Sequence, residues 1–161
     1  MFKKALSSPH IHHPPYSTQG MMFKVILALL PAAATYAWLF GWGVIINALL
    51  AVGVALVCEA AMLTLRGRPL LPTILDGSAI LTALLLVFAL PPLAPWWLTT
   101  IGVAFAIIVA KHLYGGLGFN PFNPAMIGYV VLLVSFPREL TLWSLPAQLA
   151  EQTLGFGATL N

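Results

Sequence analysis

Apolar runs of roughly twenty residues, parted by short clusters of Gly, Pro and charge, fill the chain from Met21 to Pro137. At ~1.5 Å per residue, such a run crosses the ~30 Å hydrocarbon core of a bilayer as one helix. Lipid offers no partner to backbone N–H and C=O groups, so each run must satisfy them internally, as a helix does. The expected fold is therefore all-α: a polytopic membrane protein of about five transmembrane segments, two of them short or broken. Composition agrees, with 60% hydrophobic and only 7% charged residues, against about 25% charged in soluble domains.

The breakers set the boundaries. The first segment is expected from Met22 to Phe40, kinked at Pro31, and Gly41-Trp42-Gly43 reverses it. It reads as a signal-anchor rather than a removed leader. The second runs from Val44 to Leu65 and stops at Arg66-Gly67-Arg68-Pro69. In the third, Pro72, Asp76, Gly77 and Ser78 interrupt an apolar run, so helix is expected only from Gly77 to Leu90. That is about fourteen residues, ~21 Å, too short to span alone. Pro91, Pro92 and Pro95 with Trp96 and Trp97 make an interfacial turn. The fourth segment, Trp97 to Leu113, is a plausible span. Three glycines and two Asn-Pro pairs then forbid regular helix up to Pro124. The fifth, Ala125 to Phe136, is again about twelve residues, ~18 Å. Residues 1–20 read as a cytoplasmic arm, 21–137 as a five-helix membrane domain, and 138–161 as a polar tail on the periplasmic side.

Charge fixes the expected orientation. With the N-terminus in the cytoplasm, Lys3, Lys4, Lys24, Arg66, Arg68 and Lys111 lie on that side, and of the seven Lys and Arg residues Arg138 alone lies opposite. The net charge of +3 forms no basic stripe, so no nucleic-acid partner is implied. Cys58 has no partner for an internal disulfide and reads as a small packing residue. His10, His12 and His13 lie in a Pro-rich arm without a fourth ligand and read as a contact arm, so no metal is expected.

Both shortened helices begin after irregular backbone, which at membrane depth is tolerated only when buried in protein or lining a cavity. Paired broken helices point to a binding site. Asn120 and Asn123 each offer a donor and an acceptor face. They suit either the imide-like edge of a flat heterocycle or the freed backbone around the prolines. Asp76 either caps the third helix or walls a site. Lys111 either snorkels to the interface, pairs with Asp76, or offsets negative charge on a reduced cofactor. Glu59 is expected to pair with Arg66 or Arg68, with ion passage as its other reading. Thr82 either bonds back to its own helix or faces the site. Gly116 lies in a glycine cluster that no strand precedes, which argues against a phosphate loop. No catalytic residue is indicated.

The residues from Asp76 to Leu86, the turn Leu90-Pro-Pro-Leu-Ala-Pro-Trp-Trp97, and above all Gly115-Gly-Leu-Gly-Phe-Asn-Pro-Phe-Asn-Pro-Ala-Met126 resemble the D subunit of the bacterial Rnf electron-transport complexes. They are similar, more distantly, to the B subunit of the sodium-pumping NADH:quinone reductases. The resemblance covers residues 5 to 143, with Ser7-Ser8-Pro9-His10 and Met21-Met22 in the same pattern. It implies the first half of an inverted-repeat fold. It also implies a flavoprotein subunit in the bacterial inner membrane, relaying electrons in a complex that couples ferredoxin and NAD⁺ to ion movement. The other reading is a non-redox channel-like or scaffold subunit of the same fold. Implied partners are the remaining Rnf subunits, especially the G subunit with its covalent FMN and the A and E membrane subunits, together with lipid. The family carries FMN on a threonine. The nearest match here is Thr159, which lacks the preceding serine and following proline of that motif, so the attachment site is expected beyond this chain. A noncovalent riboflavin is implied near Asn120 and Asn123, with Thr82, Asp76, Lys111 and Gly116 nearby.

Overall fold

A computed structural model describes residues 17–146. Among them there is helix and no strand, and four helical stretches are long and apolar enough to cross a membrane. The chain is a polytopic, all-helical membrane protein.

Helix α1, Thr18–Phe40, starts on an N-cap: the Ser17 hydroxyl accepts from the Gly20 N–H at 3.1 Å. It begins four residues earlier than its apolar run because this cap, rather than hydropathy, sets the first turn. Pro31 lies inside it. Gly41, at φ 80°, turns the chain directly into α2, Trp42–Leu65. A single-turn helix α3, Leu70–Ile74, then precedes the break at Leu75–Gly77, where no helix was expected before Gly77. Pro69 supplies its fixed φ ahead of the first turn, which is why this proline-containing stretch can coil.

Helix α4, Ser78–Ala89, and helix α6, Pro124–Ser135, have twelve residues each, so each rises only ~18 Å. The two stubby helices expected from the breakers are present. Helix α5, Trp96–Leu113, departs from expectation: its second half, Ala106–Leu113, is π-helical. Pro137 ends α6 and starts α7, Pro137–Thr141, a single turn inside the stretch read as a polar tail.

The core is built by α2, α4, α5 and α6, with Ala51, Ala55, Ala83, Leu86, Leu98, Val103, Ile107 and Leu132 buried in it. Small residues set its spacing. A Cβ on Gly128 would lie 2.7 Å from the Gly102 carbonyl, so α5 and α6 cross nearly backbone to backbone. Helix α1 has no buried residue and leans on α2 and α4. Trp38, Leu49, Val57 and Val134 point outward, as side chains facing lipid should.

The bundle has two distinct ends. At one, Asn47 on α2 donates to the Pro92 and Ala94 carbonyls and accepts from Thr99, and the Tyr36 hydroxyl donates to the Leu90 carbonyl. At the other lie the start of α1, the α2–α4 connection, and the end of α5. There Gln19 donates to the Leu75 carbonyl at 2.9 Å.

Candidate functional site

The second end gathers nearly every charge of the bundle. Glu59 on α2 is fully buried, and Lys111 and His112 on the π segment are each 2% exposed. The wider π turn rotates successive residues by less than an α turn does, and Ala110, Lys111 and His112 in a row all face inward. Lys111 Nζ donates to Glu59 Oε1 at 2.7 Å and to Ser78 Oγ at 2.8 Å. Ser78 Oγ donates in turn to Asp76 Oδ1 at 2.5 Å, and the Ser78 N–H reaches the same oxygen at 2.7 Å. His112 Nε2 lies 3.0 Å from Glu59 Oε2, close enough for an ion pair but off the line a hydrogen bond needs.

Three expectations are corrected here. Lys111 does not snorkel: its ammonium is tied inside the bundle, because Glu59 and Ser78 offer the partners that water would have given. Glu59 pairs with Lys111 and His112 rather than with Arg66 or Arg68, since it faces the π segment more than one turn before α2 ends. The two arginines bond carbonyls instead, Arg66 Nη1 to His112 O at 2.7 Å and Arg68 Nη1 to Gly115 O at 3.0 Å. Lys111 reaches Asp76 only through the Ser78 hydroxyl.

The cap on α4 is shared. Gly77, at φ 77°, holds the N-cap position, and Asp76 one residue earlier receives the Ser78 N–H. Thr82 is buried and its hydroxyl bonds back to the Ser78 carbonyl at 2.8 Å.

The asparagine loop grows from the same place. The N–H groups of Gly115 and Gly116 bond the carbonyls of His112 and Lys111, both at 3.0 Å, and close the end of α5. Gly115, Gly116 and Gly118 all have positive φ, at 113°, 100° and 87°, which side chains would strain. Asn123 caps α6, its Oδ1 accepting from the Ala125 N–H at 3.0 Å. Asn120 does something else. Its Oδ1 is buried and has no hydrogen-bond partner among the described residues. No hydrogen bond there joins Asn120 or Asn123 to Thr82, Asp76 or Lys111. Thr159, His10, His12 and His13 lie outside the described residues.

Sequence reasoning missed Ser78 and His112. Ser78 stands two residues after Asp76, the spacing of a side-chain turn, which was open to reading. Nothing in the sequence announced the π segment that turns His112 inward.

Residues 4–159 match the NQR2, RnfD, RnfE family. Among similar proteins is the D subunit of the ion-translocating oxidoreductase complex of Aeromonas hydrophila, 56% identical over 151 residues, which cover 94% of this chain and 43% of that protein. The protein of the same name from Escherichia fergusonii is 50% identical over 161 residues, 100% of this chain and 46% of that protein. That from Aliivibrio salmonicida is 57% identical over 142 residues, 88% of this chain and 40% of its own length. The chain thus spans less than half the length of these relatives. The match across nearly all of the chain, on a bundle with two shortened helices and the asparagine loop between α5 and α6, shows that it belongs to the NQR2, RnfD, RnfE family.

Proposed function

We propose that this chain is the first half of a membrane flavoprotein subunit that relays electrons within an Rnf-type ion-translocating ferredoxin:NAD⁺ oxidoreductase complex. The observation that carries the flavin assignment is the buried Asn120 Oδ1 without a partner. A buried acceptor left unmatched costs about 1–3 kcal/mol. An isoalloxazine imide N–H is the donor such an oxygen lacks, and the Asn123 amide N–H₂, free of the capping bond, would serve a flavin carbonyl. The residues present therefore fit a noncovalent riboflavin at this loop. When bound, the flavin supplies one-electron chemistry, and the protein tunes it through these hydrogen bonds. The chain's own part is to hold the ring edge, with the glycine backbone and the ties of Arg66 and Arg68 fixing the loop.

The covalent FMN of this reading attaches beyond residues 1–161. The partners are the G, A and E subunits, the setting is the bacterial inner membrane with the N-terminus in the cytoplasm, and the isolated chain does no chemistry. The buried charges around Glu59 favour a second reading, a channel-like subunit without redox work.

The two readings separate on flavin content. In the full-length protein purified within its complex, Asn120→Ala is expected to release noncovalent flavin. Asn123→Ser, which keeps the cap on α6 but loses the amide, is expected to weaken retention about tenfold, as loss of ~1.4 kcal/mol does. Flavin extracted by denaturation and quantified by chromatography reads both. Unchanged content in both variants would remove the site, and a complex that releases no noncovalent flavin on denaturation would favour the channel.

A further inference from the structure

A groove of about 180 Å³ lies where α1, α2 and α4 meet. Ala33 and Ala37 on α1 and Ala48 on α2 line it with side chains that end at Cβ, between Leu49, Leu84 and Phe88. No polar side chain lines it. Leu49 is 70% exposed, so the groove opens outward and continues the surface that α1 and α2 turn to lipid. Its walls are tied together. Gly41 alone joins α1 to α2. Tyr36 holds α1 to α4, its hydroxyl on the Leu90 carbonyl at 3.1 Å and its ring edge-on to Phe88.

The tryptophans fix its depth. Trp38 directly follows Ala37, Trp42 precedes the lining residue Val44 by two, and both are exposed. Exposed tryptophans settle at the headgroup level of a bilayer. From Trp42, the lining residues Val44 to Val52 descend from ~3 to ~15 Å at ~1.5 Å per residue. That is the hydrocarbon of one leaflet, half of the ~30 Å core.

Few things can fill such a space. Water finds no partner on apolar walls. Left empty, the walls forfeit their dispersion contacts on that side. A helix, ~10–12 Å across with its side chains, is too broad to enter. A run of methylenes is not, since an apolar cavity of ~150 Å³ already admits benzene. Acyl chains are what the opening faces, and they descend from the headgroup level as the groove does.

We propose that this groove binds one acyl chain of a membrane phospholipid, in the leaflet at the end opposite the Glu59 row. The bound chain packs α1, a helix with no buried residue, onto the bundle. The proposal is independent of the asparagine loop and of what that loop binds.

The test is photolabelling of the full-length protein, in its complex, in vesicles of phosphatidylcholine with a diazirine midway along one acyl chain. Labelled positions are read by peptide mass spectrometry. Ala37 and Ala48, though only partly exposed, should carry more label than Leu30 and Val57 on the outward faces of the same two helices. In the double variant Ala33→Leu, Ala48→Leu, whose added side chains fill the groove, that excess should be lost while label at Val57 stays. Label in the groove no denser than on the outward faces would overturn the proposal, as it would if another protein segment covered the opening. Excess label that survives the double variant would overturn it as well. The map of the unmodified complex needs no variant to fold and by itself can refute the site.

Discussion

At the scale of single residues, the buried pair Lys111–Glu59 is a different object from the surface contacts of Arg66 and Arg68. Both members are almost wholly out of water, so removing one strands the other. That costs about 3–5 kcal/mol, whereas replacing both together with neutral groups of similar size can cost little. Glu59→Gln or Lys111→Met alone should therefore lower the unfolding free energy of the full-length protein in detergent by an amount in that range. The double variant Glu59→Gln, Lys111→Met should recover much of the loss. Arg66→Gln, which removes one hydrogen bond at an exposed position, should stay within about 1.5 kcal/mol. Equal losses from all of these variants would mean that the buried row carries no special weight. Residue types alone did not reveal this pairing. Lysine at a helix end ordinarily snorkels, and only the π turn, absent from any periodicity the sequence displays, puts Lys111 opposite Glu59.

Between elements, close approach decides what is tolerated. A Cβ on Gly128 would meet the backbone oxygen of Gly102 at 2.7 Å, and backbone cannot swing aside as a side-chain tip does. Gly128→Ala should thus destabilise by about 1–3 kcal/mol, the range for overpacking. Gly53, midway along α2, has nothing within 4 Å of its would-be Cβ. Gly53→Ala should be neutral or stabilise by up to about 1 kcal/mol through lower backbone entropy. Thermal unfolding of the two variants side by side tests the crossing, and a neutral Gly128→Ala would refute it. At this scale the sequence was informative wherever backbone chemistry is local. Gly41 as the first reversal, the break at Asp76-Gly77, and Asn123-Pro124 at the start of α6 were all legible because proline and glycine act on their own φ. Helix α3 and the π segment were not legible. Neither shows in the spacing of apolar residues, and both pack on neighbouring helices, α3 on α2 and the π segment on α6.

For the molecule as a whole, the contacts sort into two ends, and that sorting bears on how the chain sits in a membrane. Hydrogen bonds tie Gln19 to Leu75, Arg66 to His112 and Arg68 to Gly115 at one end, and Tyr36 to Leu90 and Asn47 to Ala94 at the other. Each successive crossing therefore reverses direction, and the two shortened helices α4 and α6 both start from the charged end. In the proposed orientation, with the N-terminus in the cytoplasm, that end lies on the cytoplasmic side together with the asparagine loop and the Glu59 row. In a Cys58→Ser background, cysteine introduced at Phe119, exposed in the asparagine loop, should react with an impermeant maleimide only in inside-out vesicles. Cysteine at Leu93, exposed in the turn before α5, should react only in right-side-out ones. Labelling of both positions from one side would contradict the two-ended bundle itself. The mirror-image pattern would keep the fold and reverse its orientation, moving the asparagine loop to the face opposite the cytoplasm and leaving positive charge as a misleading guide in this chain.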